Sequence, residues 1–81
     1  MDKEYFVYEG EYAATKVNDI VRNFRTYFDT TESVEFTNGN AKFITLVAEK
    51  YYFRINSTLS ATASIFICDN TVKIGVIVTG G

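Results

Sequence analysis

The sequence predicts an α+β fold, one amphipathic helix packed on one face of a five-stranded, mostly antiparallel sheet in the order β-α-β-β-β-β. Three observations carry this prediction. Residues 11–29 repeat apolar side chains at spacings of three and four, residues 58–69 alternate between two faces, and Asn38-Gly39 between two extended runs is a hairpin signal.

The first strand is read over Lys3 to Glu9, where Tyr5, Phe6, Val7 and Tyr8 form a β-branched and aromatic run ending at Gly10. Large side chains on both of its faces predict a strand that is covered twice or lies at an interface. The helix follows over Glu11 to Asp29, with Ala13, Val17, Ile20, Val21, Phe24, Tyr27 and Phe28 on one side and Lys16, Asn18, Asp19, Arg22, Asn23 and Arg25 on the other. Glu9 and Glu11 near its start and Arg22 and Arg25 towards its end suit the helix dipole. Gly10 is expected to permit a tight strand-to-helix turn.

A short strand, Ser33 to Thr37, leads into Asn38-Gly39 as the central pair of a type I′ turn. With that loop Thr37 faces Asn40, Phe36 pairs with Ala41, Glu35 with Lys42 and Val34 with Phe43. The next strand is read from Phe43 through Arg54, long enough to predict a bulge or bend. After a turn at Ile55-Asn56-Ser57, residues 58–69 place Leu59, Ala61, Ala63, Ile65 and Ile67 on one face, with Phe66 and Cys68 on the other. A turn at Asp69-Asn70-Thr71 leads to the last strand, whose inward side is Val72, Ile74, Val76 and Val78. Pairing of the first strand with the last gives the order 2-3-4-5-1, every neighbour antiparallel. A parallel pairing with the second strand through the helix is the alternative.

The 81 residues suffice for one core, so residues 1–81 are read as a single domain. A hydrophobic fraction of 47%, with 16% aromatic and no proline, excludes a disordered chain. Eight basic and ten acidic residues give a net charge of −2, which supplies no bulk field for nucleic acid or anionic membrane. Met1-Asp2-Lys3-Glu4 is not a secretory leader, and no apolar run approaches the ~20 residues of a membrane span, so a cytoplasmic location is expected. The lone Cys68 cannot form an intramolecular disulfide and fits a reducing compartment.

Histidine is absent, which removes the commonest general base near neutral pH and the commonest transition-metal ligand. No catalytic residue, metal site or cofactor is therefore expected. Cys68 reads as a small half-buried residue. The carboxylate pairs Glu9/Glu11 and Glu32/Glu35 fall at element ends or on a wet face and read as solvated charge. Gly10 and Gly80-Gly81 do not approach a phosphate-binding glycine pattern. Lys50-Tyr51-Tyr52-Phe53-Arg54 mixes bases with rings as single-strand binders do, yet alternation lets only Lys50, Tyr52 and Arg54, or Tyr51 and Phe53, share a face. Packing is the expected use of those rings.

From Tyr51 to Gly81, the run Arg54-Ile55-Asn56-Ser57, the alternating strand and turn, and Lys73-Ile74-Gly75-Val76-Ile77-Val78-Thr79-Gly80-Gly81 resemble the second half of an uncharacterised family of small bacterial proteins. The helix after the first strand fits that pattern too. Members of the family continue beyond the Gly-Gly, and the resemblance implies no activity.

These readings predict a non-enzymatic binding or assembly module acting through its sheet face or an edge. If Val34, Phe36, Ala41 and Phe43 face the helix, then Ile44, Leu46, Ala48, Phe66, Cys68 and Ile77 form an outer apolar face. Its burial against a copy predicts a homodimer or higher oligomer, and an unidentified protein is the competing occupant. The alternative is a small-ligand binder or minor enzyme whose pocket between helix and sheet is lined by Tyr8, Phe24, Tyr27 and Tyr51. A filled helix-sheet interface would favour assembly, and an open apolar cavity of several hundred Å³ would favour a ligand.

Overall fold

A computed structural model describes residues 2–80, with side chains from Glu4 onward. The elements are β1 (Asp2–Glu11), α1 (Ala14–Tyr27), β2 (Thr30–Asn38), β3 (Ala41–Tyr52), a 3₁₀ turn at Phe53–Ile55, β4 (Ser57–Cys68) and β5 (Thr71–Gly80). The five strands form one sheet in the order β1-β5-β4-β3-β2, antiparallel throughout. The first strand thus pairs with the last, and the parallel alternative is excluded.

The core lies between α1 and the middle of the sheet. Val17 of α1 meets Leu46, Ala63, Ile65, Ile67 and Val72, with Ile20, Val21, Phe24, Ile44, Ile74 and Val76 packed around them. Leu46 and Ile65 are fully buried. Each such side chain contributes about 2 kcal/mol through burial. Backbone and side-chain bonds fasten the C-terminal end of α1 to β3. Asp29 donates its amide to the Glu49 carbonyl, the Tyr51 amide donates to Asp29 Oδ2, and Lys50 Nζ donates to the Tyr27 carbonyl.

Several expectations are corrected. The β2–β3 loop is Gly39-Asn40, so Asn38 pairs with Ala41, Thr37 with Lys42, Phe36 with Phe43 and Val34 with Thr45. Gly39 has a φ of +60°, and Asn40 is not in the left-handed region, the φ pattern of a type II′ turn rather than I′. This register differs by two residues from the expected one, so each side chain keeps its partners' face. Glu35 still reaches Lys42, Oε1 to Nζ at 2.7 Å, as a diagonal ion pair.

The assignment of faces is reversed for β2 and β3. Pairing of Ile44 with Ile65 and of Leu46 with Ala63 commits the even residues of β3 to the helix side. Ile44, Leu46 and Ala48 therefore belong to the core side and not to an outer face, while Val34, Phe36, Ala41 and Phe43 point away from α1. The long third strand keeps an unbroken register from Ala41 to Tyr52, and the 3₁₀ turn ends it before Arg54. Glu9 and Glu11 lie in β1, so no acid occupies the first helical turn. Gly10 pairs with Val72 within the strand, and a Cβ there would sit 2.9 Å from Tyr8 Cζ, so the glycine makes room for that ring.

The facing of β3 is testable by equilibrium urea unfolding. Leu46→Ala should lower the unfolding free energy by about 3 kcal/mol, whereas Val47→Thr on the other face should change it by no more than about 0.5 kcal/mol. Equal losses would contradict the assignment.

Candidate functional site

The side of the sheet turned away from α1 is ordered by the strand register into transverse rows. One row runs Glu9, Lys73, Phe66, Phe43, Phe36, and a second runs Tyr5, Ile77, Thr62, Val47, Glu32. Between them Gly75, Ser64 and Thr45 separate Val7 from Val34. Phe43 and Phe66 pack with ring centroids 6.2 Å apart. Both remain partly open to solvent, as do Phe36, Val34, Val47 and Ile77. Of the residues expected on an outer face, Phe66, Cys68 and Ile77 are found there, and they are joined by Phe36, Phe43 and Val34, which the reversed facing had hidden. At one end of this face Ser60 and Thr79 share a hydroxyl hydrogen bond at 2.6 Å.

β1 is an outer strand, and its free edge runs the length of the sheet. Its four central residues, Tyr5, Phe6, Val7 and Tyr8, are 50–79% exposed. Tyr5 and Val7 extend the open face, while Phe6 and Tyr8 lie on the helix side, Tyr8 in the lining of a cleft beside α1.

Clefts among the described residues lie on either side of α1. One, of about 430 Å³, has Tyr8, Ile20, Val72 and Ile74 in its lining. The other, of about 590 Å³, opens between α1 and the β2–β3 pair over Val21, Ile44 and Leu46. Directly beneath the helix, Val17 packs with Leu46, Ala63, Ile65, Ile67 and Val72. Of the four aromatic residues expected to line a pocket, Tyr8 alone reaches one of these clefts; Phe24 packs on the core, and Tyr27 and Tyr51 lie elsewhere.

The basic and aromatic stretch of β3 is used in packing. Lys50 Nζ lies 4.4 Å from the Tyr27 ring centroid, and the hydroxyls of Tyr27 and Tyr52 share a hydrogen bond at 3.1 Å. On the opposite side Tyr51 and Phe53 meet edge to face at 4.9 Å. Arg54 belongs to the 3₁₀ turn, so strand alternation does not bring it beside Lys50 and Tyr52. Gly81 of the terminal pair lies outside the described residues.

Among the described residues no cluster of three or more His, Cys, Asp or Glu could hold a metal, and no helix is long and apolar enough to cross a membrane. Cys68 is half-buried, with its Sγ 3.9 Å from Asp69 Oδ2. Two groups have displaced pKa values. The hydrogen bond to Glu35, reinforced by its charge, raises Lys42, and the hydrogen bond with Tyr27 raises the Tyr52 hydroxyl above the ordinary value. No protein-family model, curated protein or solved structure matches the chain.

A pKa raised in the folded state means that the Tyr27–Tyr52 contact favours folding below the ordinary tyrosine pKa of 10.0. That contribution is lost as pH rises through the raised value. Absorbance titration at 295 nm should resolve a tyrosine that ionises above the ordinary value, and Tyr52→Phe should remove that late step. A late step that survives the substitution would contradict the contact.

Proposed function

We propose that this chain is a non-enzymatic assembly module that pairs with a second copy of itself through the β1 edge. The carrying observation is the exposure of Tyr5, Phe6, Val7 and Tyr8 along an unpaired strand edge. Such an edge is a template for strand addition, and monomers usually blunt it with charge, proline or a bulge. None of these interrupts the four residues at its centre.

A two-fold axis normal to the sheet pairs β1 with its copy antiparallel and keeps both helices on one side. Centring that axis on Phe6 sets Tyr5 opposite Val7 of the copy and position 3, a lysine, opposite Glu9. Glu9 then has a lysine on either side, since Lys73 Nζ lies 3.9 Å from Glu9 Oε1 within the subunit. The other outer strand, β2, carries Glu32 and Glu35 with no basic residue, so self-pairing there gathers like charge.

A second arrangement stacks two open faces about Phe36, Phe43 and Phe66, with Cys68 and Ile77 beside them. The partial exposure of those rings and of Ile77 supports it. Different substitutions separate the two arrangements.

Light scattering coupled to size exclusion at tens of micromolar should give twice the 9.2 kDa subunit mass. Phe6→Lys places two ammonium groups across the axis and should restore the monomer, with circular dichroism unchanged. Dissociation by Phe43→Ser but not by Phe6→Lys would favour stacked faces. A 9.2 kDa mass for the unaltered protein would overturn self-assembly.

A further inference from the structure

The 590 Å³ cleft between α1 and the β2–β3 pair combines an apolar floor with a cationic rim. Its volume falls in the range of small-molecule sites. Val21, Ile44 and Leu46 contribute to the floor, and the charged residues of the lining are Arg22, Arg25, Lys42 and Glu35. Three cations against one carboxylate make this cleft positive on a protein whose net charge is −2.

The pairing of those charges singles out one of them. Arg22 bonds to Asp19 one turn earlier in α1, and Lys42 is held by Glu35. Arg25 donates to Ser33 Oγ at 3.2 Å and has no carboxylate partner among the described residues. A guanidinium offers two parallel donors, the geometry that a carboxylate accepts. The neutral Ser33 hydroxyl leaves its charge unmatched.

We propose that this cleft binds a single-chain amphipathic carboxylate, with its head group on Arg25 and its hydrocarbon tail along Val21 and Ile44, the half-buried apolar residues of the lining. The site lies on the helix side, away from the β1 edge, so it goes beyond the assembly reading and does not depend on it. An exposed ion pair alone contributes little in water. Burial of the tail therefore supplies affinity, and Arg25 supplies preference for the acid over a neutral head group.

Titration of the ¹⁵N-labelled protein with decanoate, below its micelle concentration, reads out both parts. Saturable amide shifts should centre on Val21, Arg25, Ser33 and Ile44. Decanol, which has the same tail without the charge, should bind about threefold to fivefold more weakly. Arg25→Gln, a change on the exposed rim, should bring decanoate down to the decanol level while leaving decanol unchanged. Absence of saturable shifts up to millimolar decanoate would overturn the site. So would equal affinity for the two ligands, or shifts centred on the open face. The subunit mass in size exclusion is a separate readout, so failure here and failure of self-assembly are distinguishable.

Discussion

The seating of α1 on Leu46 and Ile65 is the contact on which the rest of the structure depends, because one helix is too small to cover this sheet. A helix of 14 residues is about 21 Å long and about 10 Å across. The 12-residue strands β3 and β4 extend about 40 Å. The protein measures 45 × 20 × 19 Å, so its long axis is set by the strands. Burial is concentrated where the helix rests, and the far end of β1 and the reverse side of the sheet are left without cover by the described residues.

The elements were legible because each carried a local periodic signal. The helix shows its 3.6-residue period from Val17 to Phe28, and β4 and β5 carry an apolar side chain at every second position, Leu59 to Ile67 and Val72 to Val78. Antiparallel meander logic then led to the pairing of β1 with β5. Strand facing was less legible in β2, whose apolar residues Val34 and Phe36 suggested an inward side. Leu46 and Ile44 decide the facing instead, because they stand across from Ala63 and Ile65, whose side was already fixed by alternation. The sequence does not distinguish a loop at Asn38-Gly39 from one at Gly39-Asn40, because Asn-Gly and Gly-Asn both serve as two-residue loops and either choice preserves the faces.

The candidate surfaces were legible in part for the same reason. Phe66, Cys68 and Ile77 followed from alternation and lie outward, whereas Ile44, Leu46 and Ala48 were lost with the facing of β3. The two-sided aromatic character of Tyr5 to Tyr8 pointed to a covered or interfacial strand from the outset. The cleft beside Arg25 had no sequence signal, since it joins α1 to a hairpin through three-dimensional packing alone. Glu35 and Lys42 border that cleft because the helix side of β2 is polar.

The central claim is that the β1 edge is completed by a second copy, and amide hydrogen exchange resolved by residue tests it most directly. In a free outer strand only alternate amides are bonded to the neighbouring strand, so protection alternates. β2 provides the internal reference for a free edge. At tens of micromolar, the account predicts continuous protection from Tyr5 to Tyr8 and alternating protection in β2. Alternating protection in both strands would contradict it.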